Sequence, residues 1–179
     1  MRIIAGLYKG RKLNPPSDRS VRPTPDRVKE ALFSILGGNV EDAVALDLFA
    51  GSGNLGLEAL SRGAKKCYFA DSSRDSIRLL HGNVAHCKAE AVSHIMQGDY
   101  RNVLAQLREK IDLVFVDPPY GDGLWLDVLG ILFDKKIMNP NGIIVLEHPR
   151  EVEFPQEVYN FRKIKEGRYG TVVLSIYMC

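Results

Sequence analysis

A carboxylate, two prolines and an aromatic ring follow an apolar stretch near the middle of the chain. Residues 111–116 form the stretch, and Asp117, Pro118, Pro119 and Tyr120 come directly after it. A continuous apolar run is typical of an interior parallel strand, and ligands of open α/β sheets bind just beyond the carboxyl ends of the strands. Because proline has no N–H, the carbonyls before and between the two prolines remain available to a ligand. Two acceptors and a flat ring predict a site for a planar base with an exocyclic amine.

A glycine-rich turn follows an earlier predicted strand, residues 44–49. Gly51, Gly53 and Gly56 have the spacing of nucleotide-binding turns, in which glycine lets the backbone approach a ligand closely. The motif is short, so it is a weak indication when taken alone. We interpret Gly51, Ser52 and Gly53 as cofactor contacts.

Two carboxylates near this turn indicate which kind of nucleotide it binds. Asp71 ends a second predicted strand about 20 residues after the first glycine, where an acidic residue can accept a hydrogen bond from a ribose. Asp47 lies in the strand end ahead of the glycines, where it would repel the pyrophosphate of a dinucleotide. It would attract an ammonium or sulfonium charge instead. The pair therefore favours a positively charged nucleoside cofactor.

Taken together, the turn and the Asp-Pro-Pro-Tyr motif resemble the S-adenosylmethionine-dependent amino-methyltransferases. The amino-terminal pattern narrows the resemblance to the RsmD family of bacterial 16S ribosomal RNA guanine-N2 methyltransferases. It runs from Arg2 to about Met178, with departures at Asn54 and Asp71. The segments that carry the narrower resemblance are residues 2–6, 10–13 and 22–33.

The resemblance implies methyl transfer from S-adenosylmethionine to the N2 amine of a guanine. The implied substrate is 16S ribosomal RNA within a partly assembled small subunit. Asp117 and the Pro118 carbonyl would each accept one N–H of the amine, and Tyr120 would stack on the base. Asp99 matches the position that holds the adenine amino group in the family, although a helix cap explains it equally well. The implied catalytic residues are Asp117, Pro118, Pro119 and Tyr120, and the implied cofactor-binding residues are Asp47, Gly51, Ser52, Gly53, Asp71, Asp99 and Tyr100.

Length and composition predict one methyltransferase domain over residues 1–179, with a basic hairpin and loop extension (1–23) and a catalytic core (24–179). The chain has 179 residues, of which 45% are hydrophobic and 26% charged, as in ordinary globular proteins. It has no run of 18 apolar residues and no signal-peptide pattern. We therefore expect a cytoplasmic protein that makes no contact with a membrane.

Cysteine and histidine spacing gives no indication of a metal site. The three cysteines and four histidines are scattered, and an odd number of cysteines suits reduced thiols inside a cell. We expect a monomer without a metal ion.

Positive charge is concentrated at the amino terminus. Residues 1–30 carry a net charge of +5, whereas the whole chain carries only +2, so the remainder is −3. A basic segment on a mildly acidic domain is the pattern of a surface that meets phosphates, although a solvated face explains the charge equally well. Arg11, Lys12, Arg19 and Arg22 are the predicted RNA contacts.

The alternation of apolar periodicities predicts an α/β fold with a doubly wound, mostly parallel sheet. The resemblance implies seven strands, one of them antiparallel, and a Rossmann-like class I methyltransferase fold with an amino-terminal β-hairpin. Thr24 is predicted to cap the first helix with Pro25 as its first residue, and His148 is predicted to be a structural histidine. The predicted strands are residues 44–49, 66–70, 92–96, 111–116, 143–147 and two in 161–178, and the main helices are 55–62, 73–86, 101–109 and 124–134.

Three other functions are compatible with parts of the pattern. Asp-Pro-Pro-Tyr also occurs in adenine-N6 methyltransferases of RNA or DNA, although 179 residues leave no room for the recognition domain usual in DNA enzymes. A non-catalytic RNA-binding assembly factor would not need the intact Asp47, Asp71 and Asp117. A nicotinamide dehydrogenase is disfavoured by Asp47.

Overall fold

The computed structural model describes residues 1–16, 24–118 and 123–179. Within these ranges, strands and helices alternate from residue 44 onward, as the periodicity predicts. The helices are α1 (Asp26–Leu36), α2 (Asn54–Ser61), α3 (Arg74–Cys87), α4 (Tyr100–Gln106) and α5 (Leu124–Asp134). The strands are β1 (Val44–Leu48), β2 (Lys66–Asp71), β3 (Ser93–Gln97), β4 (Ile111–Val116), β5 (Met138–Pro149), β6 (Glu157–Val158), β7 (Phe161–Tyr169) and β8 (Val172–Met178).

One sheet joins all eight of these strands, in the order β3-β2-β1-β4-β5-β8-β7-β6. Strands β1 to β5 are parallel, and β8 pairs antiparallel with both β5 and β7. The predicted doubly wound α/β sheet is confirmed. The strand number differs from seven because the two-residue β6 pairs with the start of β7 and adds an eighth strand at the edge.

Side chains of each strand alternate between two apolar layers, as the pleat of a strand requires. One layer packs against α1, α2 and α3, and its strand residues include Ala45, Leu113 and Val145. The other packs against α4 and α5, and its strand residues include Leu46 and Val114. The carboxyl ends of β1, β2, β4 and β5 therefore meet at one edge of the sheet, between the two helical layers.

Helix α1 begins differently from its prediction. Pro25 is its N-cap with extended backbone angles, and no side chain caps the helix. The Thr24 hydroxyl donates instead to Glu147 Oε2 at 3.1 Å. The capping prediction for Thr24 was therefore wrong, because a partner from β5 takes the hydroxyl. The helix ends at Leu36, and its C-cap Gly37 has a φ of 53°.

The amino-terminal segment folds back on itself through a single antiparallel bridge between Arg2 and Lys12, a minimal form of the predicted hairpin. It lies against the end of α2, where Leu7 N and Tyr8 N donate to the carbonyl and hydroxyl of Ser61 at 2.7 and 2.9 Å. A Cβ at Gly6 would lie 1.7 Å from the Ser61 carbonyl oxygen, and Gly6 has a φ of +83°. Only glycine permits this approach.

A fully buried ion pair fixes the amino-terminal segment to α1 and α2. The Lys29 ammonium lies 3.1 Å from Glu58 Oε2, and both side chains are 0% exposed. Lys29 also donates to the Arg2 carbonyl at 2.6 Å and to Asn54 Oδ1 at 2.7 Å. Burial lowers the pKa of Lys29, and the Glu58 carboxylate opposes that change.

The Glu58 carboxylate is itself fully satisfied. It accepts hydrogen bonds from Ile4 N at 2.8 Å and Ala5 N at 3.1 Å, and Arg62 Nε donates to it at 2.8 Å. Such complete pairing is what makes a buried charge tolerable.

Two element boundaries differ by three residues or more from those predicted. Helix α4 ends at Gln106, three residues early, because Leu107 adopts extended backbone angles. Strand β5 begins at Met138 rather than at 143, because Met138 already pairs with Ile111 before an irregularity in the register. No helix in the described ranges is long and apolar enough to cross a bilayer.

Lys29→Met should lower the free energy of unfolding by about 3–5 kcal/mol, because it leaves the Glu58 carboxylate buried without its cation. Lys29→Met combined with Glu58→Gln should lose less than the sum of the two single variants. Urea denaturation of the four proteins in this double-mutant cycle measures the coupling.

Arg78→Met provides a matched control, since Arg78 and Asp75 form a pair whose side chains are 82% and 79% exposed. It should leave the free energy of unfolding nearly unchanged. Equal losses from Lys29→Met and Arg78→Met would contradict the stabilising role of the buried pair.

Candidate active site

Three carboxylates lie at the carboxyl ends of adjacent parallel strands. Asp47 is in β1, Asp117 directly follows β4 and Glu147 is near the end of β5. Val116 pairs with Leu146, so Asp117 and Glu147 are the next neighbours along the two strands, about 4.8 Å apart at their backbones. By the alternation of the strands, all three side chains point to the α1–α3 side.

Burial raises the pKa values of all three groups, and repulsion from the other two adds to the effect at Asp117. Burial raises the pKa of Asp117 well above its usual range, and the charges of Glu147 and Asp47 add to the effect. Burial also raises the pKa of Glu147, against the Thr24 hydrogen bond. The pKa of Asp47 rises to about 7, chiefly through burial, with a hydrogen bond from Gly56 opposing the shift. A cationic ligand at this edge would relieve the repulsion.

The glycine-rich turn takes the conformation that its sequence predicts. Gly51 and Gly53 have φ values of 53° and 78°, in the left-handed region that favours glycine. A Cβ at Gly51 would meet nothing within 4 Å, whereas one at Gly56 would lie 2.3 Å from the Phe69 ring. The first glycine thus leaves space for a ligand, and the third lets α2 pack closely on β2. Asp47 Oδ2 accepts from Gly56 N at 2.8 Å and holds the turn against β1.

Asp71 lies where the sequence predicts, at the end of β2. Its Oδ2 accepts from Gly51 N at 2.9 Å and its Oδ1 accepts from Ser73 N at 2.8 Å. The carboxylate therefore braces the glycine-rich turn and the start of α3. Each oxygen can still accept a further hydrogen bond, so this role is compatible with the predicted ribose contact.

Asp99 and Tyr100 have structural partners at the start of α4. Asp99 is the N-cap and accepts from Arg101 N at 2.9 Å. The Tyr100 hydroxyl donates to Asp127, and its ring lies 5.4 Å from the Phe49 ring. Asp99 is exposed at the ligand edge, whereas Tyr100 is 7% exposed. The geometry leaves Asp99 the freer of the two to meet a ligand.

Buried amides tie both ends of the segment between residues 16 and 24 to the site. Asn83 in α3 accepts from Asn14 N at 2.8 Å and donates to the carbonyls of Asn14 and Ser52 at 3.1 and 2.9 Å. Asn54 Nδ2 donates to the Thr24 carbonyl at 3.4 Å. Both anchors therefore reach residues of the glycine-rich turn or its helix.

The predicted RNA-contacting residues are described only in part. Arg11 donates to the His86 carbonyl at 2.9 Å and lies over the Tyr8 ring, 5.3 Å from its centroid. Lys12 is exposed. The other predicted residues Arg19, Arg22, Pro119 and Tyr120 lie outside the described residues, while Pro118 is buried next to Asp117.

His148 is a satisfied structural histidine. Its Nδ1 lies 3.0 Å from the Pro149 carbonyl, to which it donates, and its Nε2 lies 2.9 Å from the Ser175 hydroxyl, which can donate to it. Burial lowers the pKa of His148, which favours this neutral form. The ring is 1% exposed.

The site suits a cofactor with positive charge. Among the described residues, no lysine or arginine nitrogen lies within 4.0 Å of Asp47, Asp117 or Glu147. The open space at Gly51 and the acceptors at Asp47 and Asp71 fit an amino acid ammonium, a sulfonium and a ribose. The same ranges contain no group of three side chains that could hold a metal ion.

Sequence reasoning missed Glu147, Thr24 and Asn83. Each is a polar side chain that contacts residues more than 30 positions away. Only Glu147 had a local signal in the sequence, because it is an acidic residue at the end of an apolar strand. The same signal identified Asp117.

Comparison with known proteins decides the family. Residues 1–178 match the family described as conserved hypothetical protein 95. The chain belongs to this family. It is also 37% identical over 177 residues to the ribosomal RNA small subunit methyltransferase D of Escherichia coli, covering 99% of this chain and 89% of that protein. The resemblance to the RsmD family is therefore confirmed, and with it the methyltransferase class.

Two further members agree with this assignment. The putative rRNA methyltransferase YlbH of Bacillus subtilis is 35% identical over 180 residues, with 99% of this chain and 98% of that protein covered. A solved structure described as the putative methyltransferase yhhF from Escherichia coli is 36% identical, with a TM-score of 0.89 and coverage of 99% and 97%. The Rossmann-like methyltransferase fold is thus shared with that structure over nearly the whole length of this chain.

Asp47→Asn should remove a pH dependence of stability. A pKa raised from 3.8 to about 7 means that the protonated carboxyl stabilises the fold at low pH and that this contribution is lost as pH rises through 7. At 1.36 kcal/mol per unit, the loss amounts to as much as about 4 kcal/mol. Asparagine keeps an acceptor for Gly56 N and does not titrate.

The measurement is urea denaturation of wild type and Asp47→Asn without cofactor, from pH 4 to pH 8. The wild-type free energy of unfolding should fall relative to that of the variant across this range. Parallel curves for the two proteins would show that Asp47 is already ionised at the low end.

Proposed function

We propose that this protein is an S-adenosylmethionine-dependent methyltransferase that modifies the exocyclic N2 amine of a guanine. Its substrate is 16S ribosomal RNA within a partly assembled small ribosomal subunit, and it acts as a cytoplasmic monomer with a single domain. The names of its relatives support ribosomal RNA as the substrate class. The choice of guanine N2 rests on the family resemblance and on the acceptors after β4.

The observation that carries the proposal is the alignment of Asp47, Asp117 and Glu147 beside the glycine-rich turn. One edge of the sheet brings together a turn for a nucleoside, a buried carboxylate beneath it and a second carboxylate one strand away. A dinucleotide-binding site would not place an acidic group under its pyrophosphate. A binding module without catalysis would not need to place a partly buried Asp117 beside two buried carboxylates.

Different residues at this edge of the sheet contact different parts of the cofactor. Gly51, Ser52 and Gly53 form the turn, Asp71 offers acceptors to the ribose, Asp99 is exposed toward the adenine position, and Tyr100 supports that end from within the fold. Asp47 supplies negative charge for the amino acid part. S-adenosylmethionine, when bound, supplies an electrophilic methyl group on a sulfonium.

Toward the substrate, Asp117 and the Pro118 carbonyl each accept one N–H of the target amine. The amine lone pair is delocalised into the guanine ring, so orientation by two acceptors directs it toward the methyl carbon. A new N–C bond forms as the S–C bond breaks, and the amine then releases one proton. Asp117 takes this proton, because burial and its neighbours raise its pKa and make it a better base.

The same electrostatics determine the pH dependence of transfer. Asp117 must be ionised to take the proton from the amine, so the rate rises with pH through its pKa. Among the described residues, the acidic groups that face Asp117 are Glu147 from β5 and Asp47 from β1. Both raise the pKa of Asp117. The acid limb of the profile should therefore lie well above pH 3.8.

Glu147→Gln should shift the acid limb of single-turnover methyl transfer to lower pH, because the neutral amide no longer raises the pKa of Asp117. Asp117→Asn should abolish transfer at every pH while leaving S-adenosylmethionine affinity nearly unchanged. Rapid-quench measurements from pH 5 to pH 9 give the profile, and calorimetry gives the affinity.

Asp134→Asn serves as the charge-matched control, since Asp134 is an exposed acid at the end of α5, at the opposite edge of the sheet. Its profile should match that of wild type. An unchanged acid limb in Glu147→Gln would remove Glu147 from this role, and loss of cofactor affinity in Asp117→Asn would assign Asp117 a structural role.

Substrate choice should depend on the shape of the assembled particle. The basic amino-terminal segment can position RNA through phosphates, but phosphate contacts do not read sequence. Partly assembled small subunits should therefore be methylated much faster than naked 16S RNA. Replacing Arg11, Lys12, Arg19 and Arg22 by glutamine should weaken the salt dependence by about 0.7 per lost phosphate contact in a log–log plot.

Methyl transfer on naked RNA, assembly intermediates and mature subunits, each across a salt series, tests this expectation. Mass spectrometry of the digested RNA identifies the product. N6-methyladenine in place of N2-methylguanine would refute the proposed target. Equal rates on all three substrates would refute recognition by particle shape.

A further inference from the structure

A second group of basic side chains lies outside the amino-terminal segment. Strand β7 carries Arg162, Lys163, Lys165 and Arg168 against one acidic residue, Glu166. Arg150 follows the end of β5. The net charge of −3 after residue 30 hides this local excess. Basic side chains gathered near one sheet edge are the usual footprint of a surface that meets phosphates.

A cleft of about 220 Å³ lies between the end of β5 and the end of β7. Its floor consists of His148, Phe154 and Val173, all of them buried. Arg150, Lys163, Arg168, Glu153 and Glu166 line its sides. We call this the β5–β7 cleft.

The charged groups of the cleft leave an excess of positive charge. Glu166 is shared by two cations, since it lies 2.8 Å from the Lys163 ammonium and 3.5 Å from the Arg168 guanidinium. No carboxylate of the described ranges lies within 4.0 Å of Arg150. The cleft thus presents two exposed guanidinium groups, one of them without an acidic partner among those residues.

The floor adds no charge of its own. Both ring nitrogens of His148 have hydrogen-bond partners, and burial lowers its pKa, which favours the neutral ring. Lys163 is committed to the Phe154 carbonyl at 2.7 Å as well as to Glu166. An uncharged floor below guanidinium groups fits a phosphodiester with its sugar, since arginine can bind phosphate through two parallel hydrogen bonds.

The cleft lies near the same edge of the sheet as the proposed target site, but on the other face. His148 alternates with Glu147, so its ring points to the α4–α5 side, where it packs against Trp125 and Phe154. His148 pairs with Val173, and Val173 pairs with Arg168. Asp117 neighbours Glu147 in the adjoining strand. Arg168 is therefore three strand spacings, or roughly 15 Å, from Asp117. Nucleotides next to a target base held at Asp117 lie within that reach.

We propose that the β5–β7 cleft binds a phosphodiester group of the RNA strand that flanks the target nucleotide. Arg150 and Arg168 donate hydrogen bonds to its oxygens, and the floor packs against the sugar. This inference rests on the proposed function, because it takes RNA as the ligand and Asp117 as the position of the target base.

The test measures equilibrium binding to small-subunit particles that are isolated from cells lacking the enzyme. Arg150→Gln, Arg168→Gln and the double variant are compared with wild type across a salt series. Each substitution should weaken binding about threefold to tenfold and lower the log–log salt slope by about 0.7. Arg150→Lys should keep the slope, and Glu153→Gln should tighten binding by removing a negative charge. Affinity for S-adenosylmethionine should remain unchanged in every variant.

Lys135→Gln is the matched control, since this exposed residue follows α5 at the opposite edge of the sheet. Wild-type binding by Arg150→Gln and Arg168→Gln, or an equal loss in Lys135→Gln, would overturn the proposal. So would weaker binding by Glu153→Gln. If Arg168→Gln fails to fold because it disturbs Glu166, the result for Arg150→Gln alone decides the test.

Failure of this inference can be distinguished from failure of the proposed function. Particle binding does not depend on which atom is methylated, whereas mass spectrometry of the product does. Weaker particle binding by the arginine variants, together with N2-methylguanine as the product, supports both the cleft inference and the proposed function. Unaltered binding with the same product overturns only the cleft, and a different product overturns only the proposed target.

Discussion

The buried pair of Lys29 and Glu58 is the constraint on which the rest of the arrangement depends. A buried charge is stable only when all of its hydrogen-bonding capacity is used, and these two charges use backbone groups from the amino terminus for that purpose. They therefore fix α1, α2 and the first residues of the chain relative to one another. Because Asn54 also takes part, the start of the helix that follows the glycine-rich turn is fixed by the same network.

The same constraint supports the loops at the ligand edge of the sheet. The strands bring their carboxyl ends together through register alone, but the loops beyond them need separate support. Asn83 holds the turn from α3, Asp71 holds it from β2, and Asp47 holds it from β1. Asp47 and Asp71 thus stabilise the turn that is proposed to hold the cofactor, and burial raises the pKa of Asp47.

Much of the fold was predictable because it depends on local periodicity. The alternation of strands and helices follows from apolar patterns, and the position of Asp117 follows from the end of an apolar run. Thr24 shows where such reasoning fails. A threonine before proline indicates a helix cap, yet its hydroxyl donates to a carboxylate 123 residues away. Lys29 is a second such case, because nothing near it in the sequence indicates its buried partner Glu58.

The hydrogen bonds of Asn83 and Asn54 have a thermodynamic consequence. They join Asn14 and Thr24, at either end of a basic segment, to the turn and the helix proposed to hold the cofactor. A ligand that displaces one of these anchors changes the free energy of the other site. By linkage, RNA and cofactor must then alter each other's affinity by the same factor, and these two amides are the contacts through which that effect would act.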